Sequence, residues 1–183
     1  MVTGSCRKGS NSSALGAAAA AAAREKGHQV TVTDISRLRI NPCQGCDRCQ
    51  QPGGGGCVQS DDMSPLYPLV VRADILIYVS PIYWFNICGQ IKQFMDRCYA
   101  VSINPDPAGP NPFARKKLGA ILVYGDKDPL VSGCVNAVRS FQDICAYTGA
   151  AWANALYCSA HACGEVAANA ELLGQARIYG GSL

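Results

Sequence analysis

Gly4-Ser5-Cys6-Arg7-Lys8-Gly9-Ser10-Asn11-Ser12-Ser13 follows a short β-type fragment, Met1-Val2-Thr3, and leads into an alanine-rich stretch that ends at Gly27. Its hydroxyls and backbone N–H groups suit phosphate oxygens, and a helix starting there adds the positive end of its dipole. Arg7 can grip two oxygens at once, and the glycines let the backbone come close. An ordinary N-cap at Ser10 or Asn11 uses the same geometry, so the two readings are compatible. The helix is expected from about Asn11 to Lys26, with Gly27 in the left-handed position that ends many helices.

Outward from this loop, apolar runs alternate with helical patterns, as in a parallel sheet with helices on both faces. Strands are expected at Gln29–Thr33, at Asp74–Ser80 with Pro81 ending it, at Leu118–Tyr124 and at Ala151–Tyr157. Helices are expected at Ser64–Arg72, Asn86–Tyr99, Leu130–Tyr147 and Glu165–Tyr179, with a Pro- and Gly-rich loop from Ser102 to Lys117. Ile87, Ile91, Phe94 and Cys98 share one side of their segment, and Val131, Cys134, Val138, Phe141 and Cys145 one side of theirs. The count predicts an α/β, flavodoxin-like three-layer sandwich with a five-stranded parallel sheet of order 2-1-3-4-5. One domain over residues 1–183 is expected, with a cysteine-rich insertion at about 40–60. Met1–Thr3 is short for a core strand, and the expectation is that residue 1 is not the natural start or that this strand is clipped.

The 183 residues carry sixteen basic and thirteen acidic side chains, a net charge of +3. No basic stripe suggests nucleic acid, and no apolar run suggests a membrane span or a signal peptide. Eleven cysteines, an odd number, point to a reducing cytoplasm and a cofactor role for some thiols. No G-x-G-x-x-G follows a strand and no Walker loop is present. His28 and His161 read as isolated surface or hydrogen-bonding residues.

Ligands of a flavodoxin-type sheet gather between the loops after its first and third strands. The second of these holds Pro81-Ile82-Tyr83-Trp84-Phe85-Asn86, three aromatics beside an amide, which suits a flat heterocycle; core capping or a subunit contact is the competing reading. Tyr124-Gly125-Asp126 after the fourth strand forms a third wall, or an ordinary turn. Together with Asp61-Asp62-Met63, Gln90-Ile91-Lys92-Gln93-Phe94-Met95-Asp96-Arg97 and Cys163-Gly164-Glu165 before the last helix, these motifs resemble the NADPH-dependent FMN reductase family, closest to its iron–sulfur flavoprotein branch. The resemblance implies one FMN per subunit, NAD(P)H as co-substrate, a small-molecule or protein electron acceptor, and homodimers or homotetramers. It implies that Ser5, Arg7, Ser10, Asn11 and Ser12 hold the FMN phosphate. Pro81, Ile82, Tyr83, Trp84, Phe85 and Asn86 would line the isoalloxazine, and Tyr124, Gly125 and Asp126 would close its other side. Cys6 stands where the family commonly has proline.

Cys43-x-x-Cys46-x-x-Cys49, followed after seven residues by Cys57, is the sharpest local pattern. A close triple plus a fourth thiol is a ligand set for a 4Fe–4S cluster. Structural zinc, a redox disulfide between Cys43 and Cys46, and an empty vestigial loop are the alternatives. A compact four-cysteine motif of this shape also occurs in the iron–sulfur flavoproteins that the chain resembles. If the cluster is real, reduced ferredoxin becomes an alternative donor to NAD(P)H.

Overall fold

The computed structural model describes residues 1–183 apart from 54, 55, 105, 107 and 108. The middle of the Gly53–Gly56 run and part of the expected loop at 102–117 therefore lie outside the described residues. The elements are β1 (Val2–Thr3), α1 (Asn11–Glu25), β2 (Thr33–Asp34), α2 (Tyr67–Arg72), β3 (Ile75–Tyr83), β4 (Asn86–Ile87), α3 (Gly89–Ser102), β5 (Lys117–Tyr124), α4 (Cys134–Thr148), β6 (Ala151–Ser159) and α5 (Ala170–Gly181). The parallel strands run in the order β2-β1-β3-β5-β6, while β4 pairs antiparallel with the end of β3. Among the described residues the sheet thus has six strands rather than five, and its parallel part keeps the expected order.

The two faces of the sheet make two cores, because successive side chains on a strand point to opposite sides. Leu76, Tyr78, Leu118, Ala120 and Leu122 face Ile91, Phe94 and Phe141 of α3 and α4. Ile77, Val79, Ile121 and Val123 face Leu15 and Ala19 of α1 and Ala176 and Tyr179 of α5. Burial on both sides explains the near-continuous apolar run of β3. Small residues set the spacing of α1 and α5. A Cβ on Gly180 would stand 2.0 Å from the Ala19 carbonyl oxygen, so the alanine face of α1 packs against bare backbone.

Several expected boundaries move. The second strand is reduced to Thr33–Asp34; before it, the Val30 carbonyl accepts from the Arg24 guanidinium (2.8 Å) and the Thr31 carbonyl from the Met1 amine (2.7 Å). Pro81 does not end β3. The Val79 carbonyl faces the β1 side, accepting from Gly4 N–H (3.1 Å), so Pro81, two residues on, faces that side beyond the end of β1. No ladder bond is lost there. The strand runs on to Tyr83 and turns back through Asn86–Ile87, which delays α3 to Gly89. The helix expected from Leu130 begins at Cys134, because Leu130 and Val131 are exposed in a turn closed by Gly133 at φ +77°. The last helix divides at Asn169, whose side chain caps α5 by accepting from Leu172 N–H (3.1 Å).

Candidate functional site

The loops at the carboxyl ends of β1, β3, β5 and β6 enclose a cleft of about 380 Å³. Ser5, Arg7, Ser10, Asn11 and Ser12 form one wall, Pro81, Ile82 and Tyr83 a second, and Tyr124 and Gly125 a third. Ser10 caps α1: its Oγ accepts from Ser13 N–H (3.3 Å) and shares a hydrogen bond with Ser12 Oγ (3.0 Å). Among the described residues the backbone N–H groups of Gly9, Ser10, Asn11 and Ser12 have no protein partner. Orphan donors at a helix start, with Arg7 and three hydroxyls beside them, fit a phosphoryl group. Asn11 is differently employed. Its Nδ2 donates to Ala162 O (2.7 Å) and its Oδ1 accepts from Val166 N–H (3.1 Å), which leaves one amide hydrogen.

Trp84, Phe85, Asn86 and Asp126 do not line this cleft. Trp84 and Phe85 form the two-residue turn between β3 and β4, both at positive φ (48° and 66°), and Trp84 is 93% exposed. A right-twisted hairpin asks for such angles, normally from Asn-Gly, so two aromatics there are strained. The turn is fastened from behind. A Cβ on Gly133 would lie 2.4 Å from Phe85 O, and Asn136 Nδ2 donates to that carbonyl (3.4 Å). Asn86 instead lines a groove of about 550 Å³ between α3 and α4 whose wall includes Cys43. Asp126 belongs to a turn, accepting from Lys127 N–H (2.7 Å), while Ser159 Oγ donates to its carbonyl.

His161 and Cys163 line the cleft as well; neither was expected there from the sequence, in which His161 reads as isolated and Cys163-Gly164-Glu165 only as part of the resemblance. The available signal was position: they follow the last parallel strand, and loops at that end of the sheet converge on one place.

The four cysteines Cys43, Cys46, Cys49 and Cys57 line a second, smaller cavity of about 120 Å³, with Arg97 and Tyr99 on its wall. Asp61 and Asp62 close the base of this loop. Asn41 N–H donates to Asp61 Oδ2 (2.9 Å), and Arg39 N–H to Asp62 Oδ2 (2.7 Å). Arg97, buried on α3, donates to both Asp61 oxygens (2.6 and 3.2 Å), to Asn41 O (2.9 Å) and to Tyr67 Oη (3.2 Å). Burial pushes the Cys57 thiol up, but hydrogen bonds from the Gln59 backbone and Tyr67, with Arg97 nearby, leave it below the usual thiol range. Burial and the neighbouring thiols push Cys49 up despite the Gln50 amide. Among the described residues no three Cys, His, Asp or Glu side chains are grouped to hold a single metal ion. Zinc would need its sulfurs about 3.8 Å apart, from bonds of ~2.3 Å in a tetrahedron.

The profile of the NADPH-dependent FMN reductase family matches residues 1–162. The chain belongs to this family. An iron-sulfur flavoprotein of Archaeoglobus fulgidus is 37% identical over 140 residues, covering 75% of this chain and 60% of that protein. One of Methanocaldococcus jannaschii is 37% identical over 122 residues, covering 66% and 57%. The chain therefore spans about 60% of the length of these relatives. In fold it is similar to an NAD(P)H:quinone oxidoreductase of Methanothermobacter marburgensis, with TM-score 0.72 and 19% identity over 98% of this chain and 95% of that one. It is also similar to a flavodoxin of Megasphaera elsdenii, with TM-score 0.56 and 12% identity over 100% and 98%. The flavodoxin-like fold expected from the sequence is the fold of the family member. No described helix is long and apolar enough to cross a membrane.

Proposed function

We propose that residues 1–183 form one flavin-binding domain of an FMN-dependent oxidoreductase that passes electrons from NAD(P)H or a ferredoxin-type donor to an acceptor. The observation that carries this is the cleft that brings Ser5, Arg7, Ser10 and Ser12 to Pro81, Ile82, Tyr83, Tyr124 and Gly125. Arg7, the three hydroxyls and the orphan N–H groups of α1 would hold the phosphate. Pro81, Ile82 and Tyr83 would offer a flat, partly apolar wall to the ring, with Gly125 leaving room opposite. When bound, FMN supplies hydride acceptance and the exchange between two-electron and one-electron partners. The side chains then position and desolvate; none is asked to carry a proton.

The exposed Trp84, Phe85, Leu130 and Val131 support a homodimer or homotetramer in which a neighbouring subunit covers the turn, so that Trp84, Phe85 and Asn86 reach a ring from a partner's side. Cys43, Cys46, Cys49 and Cys57 would hold a 4Fe–4S cluster, a reading supported by their shared cavity and by the relatives' names. Eleven free cysteines support a reducing, cytoplasmic compartment. A non-enzymatic carrier of flavodoxin type is disfavoured by the net charge of +3, since such carriers dock cationic partners through an acidic surface.

Anaerobic purification followed by absorption spectroscopy and iron, sulfide and zinc analysis tests both halves. Flavin bands with stoichiometric FMN are expected, together with four irons per chain. A protein that holds no flavin and takes up none from added FMN would overturn the first half. Zinc without iron, or neither, would overturn the second. Rapid mixing with NADPH separates enzyme from carrier, because a carrier is not reduced promptly.

A further inference from the structure

The loop after β6 does more than line the cleft. Cys163 Sγ donates to Lys8 O (2.8 Å) and lies 3.3 Å from Gly9 O, and Gly164 N–H donates to Gly9 O (3.1 Å). The two bonds of Asn11 join the same loop to the start of α1. The loop is itself braced, since the Glu165 carboxylate accepts from the N–H groups of His161 and Ala162, both at 2.9 Å. In a trans peptide the C=O and N–H point in opposite directions. Fixing the Lys8 and Gly9 carbonyls on Cys163 and Gly164 therefore turns the Gly9 and Ser10 N–H groups away from Cys163. Those are two of the N–H groups with no protein partner among the described residues. Gly9 has φ +65°, the left-handed conformation with which a short row of N–H groups is made to converge on an anion.

We infer that Cys163 is a positioning residue for the phosphoryl group at the start of α1. Its thiol holds the Lys8–Gly9 peptide, and the Gly164 N–H beside it the Gly9–Ser10 peptide, in the orientation that presents their N–H groups to the anion. The inference rests on the flavin reading above and deepens it, because it ties Cys163 to the phosphate end of the cofactor and not to its ring. A serine hydroxyl can make the same donation and an alanine cannot. A thiol is a weak donor, so the effect is moderate.

The test titrates FMN and riboflavin into the full chain stripped of flavin, following the loss of flavin fluorescence, for the wild type, Cys163→Ala and Cys163→Ser. The wild type is expected to prefer FMN strongly over riboflavin. Cys163→Ala should weaken FMN about three- to tenfold, the usual worth of one modest hydrogen bond, and leave riboflavin unchanged. Cys163→Ser should restore the preference. A wild type that prefers FMN, with Cys163→Ala weakening neither flavin or both equally, overturns the inference and leaves the cofactor reading standing. A serine variant no better than alanine also overturns the inference. A wild type that binds both flavins alike overturns the phosphate reading and the inference with it.

Discussion

Arg97 and Asp61 meet in a two-pronged bond of 2.6 and 3.2 Å, with side-chain exposures of 1% and 5%. The pair joins α3 to the base of the cysteine loop. Removing one member of such a pair leaves a buried charge without its partner and costs about 3–5 kcal/mol. Asp61→Ala and Arg97→Ala are each expected to lower the denaturation midpoint accordingly. Arg97→Lys should recover little, because an ammonium cannot span both carboxylate oxygens while bonding Tyr67 and Asn41. Urea titration measures the loss, and a cost under about 1 kcal/mol, the worth of a surface pair, would count against the role given to Arg97.

The same pair predicts a pH dependence. Burial raises the Asp61 carboxyl, but Arg97 and the N–H groups of Asn41 and Met63 outweigh it and hold the folded value below the ordinary one of 3.8. A depressed folded pKa gives stability that is present above the unfolded value and lost as pH falls through the folded one. The stability gap between wild type and Asp61→Asn should therefore be constant near neutrality and close as pH drops below about 4. Midpoints measured across that range decide it. A gap that stays open at the lowest pH would mean that something other than the charge of Asp61 stabilises the loop base.

What the sequence disclosed, and what it hid, follows from how local the causes are. The start of the β3 run, the Ser10 cap, the alanine helix and the left-handed Gly27 are decided by neighbours in the chain, and the structure has them within a residue or two. The turn at Trp84-Phe85 is not local. It exists because β1 ends at Thr3, freeing one side of Pro81, and because Gly133, far along the chain, leaves room for the backbone of Phe85. The Asp61-Asp62-Met63 triplet was visible as a motif, but its part in closing the cysteine loop depends on Arg97, a helix away. His161 was read as isolated because spacing alone does not reveal which loops share an end of the sheet.

Of the eleven thiols five are buried, four are exposed, and Cys49 and Cys57 lie between. Burial pushes Cys134, Cys145 and Cys158 up to about 11, and Cys98 higher still. Cys88 is raised as well and is bonded to Gly4 O (3.4 Å). Only a thiolate attacks an alkylating reagent. Iodoacetamide applied briefly at neutral pH to cluster-free folded protein should therefore label Cys57 and the exposed Cys6, Cys43, Cys46 and Cys163, and spare those five. Within the cysteine loop Cys57 should react ahead of Cys49, whose thiol is raised. Peptide mass spectrometry gives the order. Rapid labelling of Cys98 or Cys145 would mean that the α3–α4 side of the sheet opens readily.

Trp84 and Phe85 make the most direct contest between stability and function. Each holds a positive φ that an aromatic residue rarely adopts, at about 1–3 kcal/mol apiece. The double substitution Trp84→Asn with Phe85→Gly supplies the residue types that such a turn prefers. If strain is what the turn stores, the double variant unfolds at higher urea concentration than wild type when both are dilute enough to be monomers. The same change deletes two of the exposed apolar side chains that the proposed subunit contact would use. Sedimentation at higher concentration should then show a shift towards monomer, and reduction of bound flavin by NADPH should slow. A variant that is less stable as a monomer would show that packing of Phe85 on Gly133 outweighs the backbone cost. A variant that associates and reacts as wild type does would remove the turn from both the interface and the cofactor site, leaving its strained geometry without a role.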